Sequence, residues 1–174
     1  MLAGVDFAIE QRYHADPDAV ARAYVDPGLY DLVGQQATSL GRPEVQSLQV
    51  SDDGDRATLE VRYRFAGDLN AAARRALDPA KLTWVEHSTH DLAGHTVEFR
   101  LVPDNYADRF RASGRATLEP GDGGGAVRTV RGTVNVKAPL VGKVVENAIV
   151  SGLRDHLAGE AAAVDRFVAA QGTP

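Results

Sequence analysis

The sequence predicts an α+β fold: a curved antiparallel sheet of six or seven strands wrapped around one long C-terminal helix, with two short helices after the first strand. Three observations predict it. From residue 139 to about residue 170 the helical pattern runs unbroken. Val141, Val145, Ile149, Gly152, Leu153, His156, Ala163, Val164 and Phe167 fall on one side, and Lys143, Asn147, Ser151, Arg154, Ala158 and Asp165 on the other. At about 1.5 Å per residue this helix is roughly 45 Å long, about the width of a domain of this size. The earlier segments alternate apolar and polar residues with period two, as half-buried strands do. All of them precede the helix, so the chain ends by laying one helix on a finished sheet.

In the first strand Val5, Phe7, Ile9, Gln11 and Tyr13 alternate with Asp6, Glu10 and Arg12. Asp16 and Pro17 then supply an N-cap and an N1 proline for a helix to about residue 25. A second short helix over 27–36 carries Leu29, Leu32 and Val33. A second strand covers 45–50, and the turn Asp52-Asp53-Gly54-Asp55 leads into a third, where Ala57, Leu59, Val61, Tyr63 and Phe65 share a face. Residues 68–77 interrupt the sheet. Their Leu69, Ala73 and Leu77 stand four apart, the spacing of a short helix that needs an apolar surface to cover. At the mouth of the grip such a helix would act as a mobile lid.

Strands over 81–90 and 95–102 enclose the turn Asp91-Leu92-Ala93-Gly94. That register opposes His90 to His95, Ser88 to Val97, Glu86 to Phe99 and Trp84 to Leu101, all on one face, and puts His87 on the other. The last two strands, 109–118 and 127–137, flank the glycine run 121–125. Pairing Gly114 with Gly132 leaves a patch of sheet nearly bare of side chains, where something approaches the backbone closely.

Composition narrows the function classes. The 174 residues are 44% hydrophobic, which suits one domain, 1–174, with a core of its own. Net charge is −5, and the 19 basic residues are scattered among 24 acidic ones without a basic stripe, which argues against nucleic acid as a partner. Cysteine is absent, which removes disulfides, thiolate catalysis and thiolate metal sites. The start, Met1-Leu2-Ala3-Gly4-Val5-Asp6, lacks the charged and apolar regions of a signal peptide, and no apolar run reaches about 18 residues. A cytoplasmic protein without a membrane span is expected.

The element order, the Trp84 strand, the strand Gly132-Thr133-Val134-Asn135-Val136, and Ala138-Pro139-Leu140-Val141-Gly142-Lys143 running into Glu146 together resemble the START-like (SRPBCC) superfamily. Its helix-grip fold is shared with the birch pollen allergen, polyketide cyclases and lipid-transfer domains. Within it the chain most resembles a bacterial family catalogued as a domain of unknown function. The resemblance covers nearly the whole chain but rests on structural motifs, so it carries over no catalytic residues and no cofactor. It implies an apolar ligand in the space between sheet and helix.

The residues expected to face such a ligand are Tyr63, Phe65, Trp84, Glu86, Ser88, Phe99 and His156. Glu86 is open to two accounts: a carboxylate solvated at a wet rim, or a buried one whose raised pKa suits acid–base work. His156 is either a hydrogen-bonded core residue or a ligand contact. His87, His90, Asp91 and His95 supply too few convergent ligands for zinc, and no metal site is expected. Arg109, Arg111, Arg115, Arg128 and Arg131 read as a solvated outer face. The expected function is binding of a small hydrophobic ligand of lipid, isoprenoid or polyketide-like character. The alternatives are an enzyme of cyclase, aromatase or hydrolase type in the same cavity, and an interaction module whose grip is filled by its own side chains. Convergence of Glu86 and His156 on one closed space would favour the enzyme; their separation would favour the carrier.

Overall fold

A computed structural model describes residues 4–36 and 40–172. Residues 1–3, part of the segment read above for a signal peptide, lie outside the described residues. The elements in chain order are β1 (Val5–Tyr13), α1 (Pro17–Ala23), α2 (Pro27–Gly34), β2 (Glu44–Val50), β3 (Arg56–Arg64), α3 (Ala71–Ala76), β4 (Thr83–Asp91), β5 (Thr96–Pro103), β6 (Phe110–Pro120), β7 (Ala126–Val136) and α4 (Gly142–Gln171). The seven strands form one antiparallel sheet in the order β1-β7-β6-β5-β4-β3-β2, and α4 lies across its concave face against β1, β7, α1 and α2. This is the helix-grip arrangement.

Local chemistry explains the elements. Asp16 accepts a hydrogen bond from the Ala19 N–H at 3.0 Å to cap α1, and Asp26 accepts from the Gly28 N–H at 2.8 Å to cap α2, each followed by an N1 proline. In β1 the alternation buries Phe7, Ile9, Gln11 and Tyr13 and exposes the residues between them. At the far end, the Glu146 carboxylate accepts from the Val136 N–H at 2.8 Å, tying the end of β7 to the second turn of α4.

Several details depart from the sequence reading. The helix starts at Gly142, because residues 138–141 form a turn in which Leu140 takes a left-handed backbone (φ 67°). Val150, Leu157 and Glu160 join its buried side. Asp165, assigned to the outer side, accepts from the His14 and Ala15 N–H groups at 2.9 and 3.3 Å.

The β4–β5 loop is four residues long, but it comprises Leu92 to His95. Asp91 pairs with Thr96, its side chain accepts from the Gly94 N–H at 2.8 Å, and His95 takes φ 52°. A one-residue shift of the loop moves every cross-strand partner by two. His90 therefore faces Val97, Ser88 faces Phe99, Glu86 faces Leu101 and Trp84 faces Pro103. An even shift preserves parity, so every residue that stays in the two strands keeps its predicted face, while His95 leaves the ladder for the loop.

At the glycine patch the close approach to the backbone is present, and only its bareness is corrected. Gly114 and Gly132 do pair, but a Cβ on Gly114 would run into the Arg131 carbonyl oxygen and meet the Phe99 ring at 2.6 Å. One on Gly132 would meet the Phe7 ring at 2.7 Å. The protein's own phenyl rings fill the patch.

Candidate functional site

Between the sheet and α4 lies a cavity of about 80 Å³. Six of the seven strands, all but β2, contribute through their inward parity: Phe7 from β1, Tyr63 from β3, Trp84 and Glu86 from β4, Phe99 and Leu101 from β5, Ala112 from β6, and Arg128, Val130 and Val134 from β7. The helix adds Ile149, Leu153, His156, Leu157 and Glu160 at helical spacing. Of the seven residues expected at a ligand, the structure brings Tyr63, Phe65, Trp84, Glu86, Phe99 and His156 to this one space. Ser88 does not reach it. Its hydroxyl is engaged with the Leu59 carbonyl at 3.3 Å and His90 Nε2 at 2.9 Å.

The walls are mostly apolar, and the polar groups fall into two sets. The first is a closed network at one end. Glu160 Oε1 accepts from the Tyr24 hydroxyl at 2.6 Å, and its Oε2 lies 3.4 Å from His156 Nε2. Arg128 donates to Gln11 Oε1 at 2.7 Å, sits 3.6 Å from Glu160, and stacks its guanidinium 4.3 Å above the Tyr24 ring. Gln11 in turn donates to the Leu157 carbonyl at 2.8 Å, and the Tyr13 and Tyr24 hydroxyls are 2.8 Å apart. Burial alone would raise the Glu160 pKa, but the His156 hydrogen bond, the His156 and Arg128 charges and the Tyr24 hydroxyl bring it down to about 2. Burial opposes the Arg128 charge, and the neighbouring tyrosines and carboxylates more than restore it. These two charges hold each other in place.

The second set is Glu86 and Tyr63. Among the described residues no hydrogen-bond donor or cation within bonding distance meets the Glu86 carboxylate, and the Tyr63 hydroxyl has no hydrogen-bond partner. The surface that half-buried Glu86 retains faces the cavity. Burial, then the Glu160 charge, push its carboxyl up to about 7 against the lowering effect of Arg128 and His156. The rim account of Glu86 is thereby replaced: it lies on the cavity wall. His90, also on the cavity wall, is held at about 4 by burial and by Arg128, and so is neutral at ordinary pH.

Two further voids of about 20 Å³ adjoin the cavity. Phe65, Trp84 and Ile149 line both the main cavity and the void toward Tyr106 and Val145, so these three side chains form a partition. Leu77 lies on that second void. The segment 68–77 thus meets the neighbouring chamber through Leu77, and its Leu69, Ala73 and Leu77 are all buried.

The histidines read as a turn cluster separate. His90 points inward, His87 pairs outward with Glu60 at 2.9 Å, and His95 pairs with Asp18 of α1 at 2.7 Å. No group of three or more His, Asp or Glu side chains among the described residues is placed to hold a metal.

Arg128 is the main residue that sequence reasoning misassigned. The sequence pattern groups it with an outer arginine face, yet its side chain is 11% exposed. Parity could have found it, since 128 shares the inner face with Val130, Val134 and Val136. Tyr24 and Tyr30 were missed as well. They reach the cavity from α1 and α2, whose placement over the sheet no strand pattern encodes.

With this geometry in view, a family described as a protein of unknown function, DUF2505, matches residues 8–168. The chain belongs to this family. No curated protein matches it. Among solved structures, a START superfamily protein from Mycobacterium smegmatis is 17% identical with a TM-score of 0.53, covering 98% of this chain and 99% of that one. The Zhui aromatase/cyclase from Streptomyces sp. R1128 is 13% identical at TM-score 0.61, covering 97% and 94%. Norcoclaurine synthase from Thalictrum flavum, as a point mutant with a transition-state analogue, is 18% identical at TM-score 0.58, covering 99% and 100%. At these identities the likeness establishes the START-like fold of the family member, and no more.

Proposed function

We propose that this family member binds a small, mainly apolar molecule in the cavity between the sheet and α4. One observation carries the reading: an apolar space inside the grip presents polar side chains, Glu86 and Tyr63, that the protein itself leaves unpartnered. Binding sites are mostly apolar with a few placed polar groups, and this wall has that make-up. The size of the space refines the ligand. About 80 Å³ is roughly half the ~150 Å³ that takes a benzene ring, and well below the ~300–1,000 Å³ of ordinary ligand pockets. A ring-sized ligand therefore requires the Phe65–Trp84–Ile149 partition to swing and merge the chambers. An extended lipid chain requires far more, so a compact ligand is favoured over a fatty acid.

Thermal denaturation with a panel of small aromatics, short isoprenoids, aromatic polyketides and fatty acids tests this. A ligand at about 100-fold excess over its dissociation constant stabilises the fold by about 2.7 kcal/mol. Compact aromatic or isoprenoid members are expected to raise the melting temperature and long fatty acids are not. If no class raises it, the self-filled interaction module becomes the better account. A second reading, acid–base catalysis on the bound molecule, is supported by the convergence of Glu86 and His156 on one cavity and by a Glu86 carboxyl near 7. Such a group contributes about 10²–10⁴-fold to a rate. The Zhui aromatase/cyclase and norcoclaurine synthase are enzymes by name and share the fold, which lends that reading weight.

A further inference from the structure

Resting on the binding reading, we propose that the ligand is a small organic cation, an amine on an apolar body, whose ammonium group sits on the Glu86 carboxylate between the rings of Tyr63, Trp84 and Phe99. Strand register builds this cradle. Glu86 faces Val61 on β3 and Leu101 on β5, which places Tyr63 and Phe99 diagonally on either side of it, with Trp84 two residues back on its own strand. Diagonal neighbours on one sheet face lie roughly 7–8 Å apart, within reach of aromatic and long side chains. Tyr63 and Trp84 stack at 6.3 Å, and His156 closes on the Tyr63 edge at 5.7 Å. A carboxylate flanked by aromatic faces attracts a cation twice, through charge and through the ring quadrupoles.

Charge balance points the same way. Arg128 is already met by Glu160, Gln11 and the Tyr24 ring, so the cavity offers an anionic ligand no unengaged guanidinium. Arg128 and His156 both sit on Glu160, so an ionised Glu86 has no counter-charge within bonding distance, and an ammonium group supplies one. The groups facing Glu86 from the surrounding elements are Tyr63 of β3, Tyr30 of α2, Arg128 of β7, and His156 and Glu160 of α4. A neutral ligand would instead accept a hydrogen bond from a protonated Glu86. The two cases respond oppositely to pH.

Calorimetric titration with benzylamine, benzyl alcohol and benzoate at about pH 8.5 and about pH 5.5 separates them. Benzylamine is expected to bind at least about tenfold more tightly than benzyl alcohol at the higher pH, and the gap should narrow at the lower pH as Glu86 takes up a proton. Glu86→Gln should erase the amine preference while leaving benzyl alcohol binding in place. If that variant does not fold, the pH dependence of the wild-type preference decides alone. Benzyl alcohol or benzoate matching or exceeding benzylamine at the higher pH overturns the amine assignment and leaves the binding reading standing. Binding of none of the three overturns the amine assignment, and the binding reading then stands or falls on the wider ligand panel.

Discussion

Glu86 and Glu160 face one cavity, yet their environments drive them in opposite directions. Glu160 has four partners, Tyr24, His156, Arg128 and Gln11, and is held at about 2; Glu86 has none and rises to about 7. The raised folded-state pKa fixes the sign for Glu86. Its contribution to stability is fully present below the unfolded value near 4.5 and is lost as pH rises through about 7. Glu86→Gln is therefore expected to match the wild type near pH 4 and to exceed it by up to about 3 kcal/mol above pH 7, measured by urea unfolding across pH. The opposite sign holds for Glu160, whose stabilisation is present above 4.5 and fades only as pH falls toward 2. Glu160→Gln leaves Arg128 buried without its counter-charge and should lower stability by about 3–5 kcal/mol at neutral pH. A double variant with Arg128→Met should recover part of that loss. An additive double variant would show that the two charges do not act as a pair. At this scale the sequence was legible only by parity. Period two put Tyr63, Trp84 and Glu86 on the inner face, and the same rule applied to β7 would have placed Arg128 there. Which charges meet which depends on side-chain packing that strand spacing does not encode.

At the scale of elements, the close approaches at Gly114 and Gly132 are what let Phe99 and Phe7 lie flat on the sheet and help shape the cavity wall. Gly114→Ala sets a Cβ against the Arg131 backbone, which cannot step aside as a side chain can. It should lower stability by at least about 2 kcal/mol in urea unfolding. The six-residue α3 is too short to persist without its neighbours, so its amides should exchange hydrogen faster than those of β6 and β7. Equal protection would mean that 68–77 is a fixed part of the core and no lid. Most elements were readable because their signals are local: Asp-Pro caps at α1 and α2, alternation in β1 and β3, and the apolar stripe of α4. The β4–β5 register was not. Its turn hangs on a left-handed His95 and on the Asp91 side chain, and a four-residue loop placed one position earlier satisfies the same hydrophobic pattern.

The molecule as a whole is a sheet closed on one helix, with a cavity that is small, mostly apolar and divided by Phe65, Trp84 and Ile149. No helix among the described residues is long and apolar enough to cross a membrane. The proposed ligand site is this interior space, and the only tryptophan in the sequence, Trp84, stands on its wall. Ala112 faces the same space from β6, so Ala112→Leu fills the cavity from within while leaving the outer surface unchanged. The most direct measurement is a Trp84 fluorescence titration with whichever panel compound stabilises the fold, run on the wild type and on Ala112→Leu. A saturable change is expected in the wild type and, in a variant that still melts cooperatively, an affinity lowered at least about tenfold. An unchanged affinity in Ala112→Leu, or saturable binding that leaves Trp84 emission untouched, would place the ligand elsewhere and contradict the proposed site.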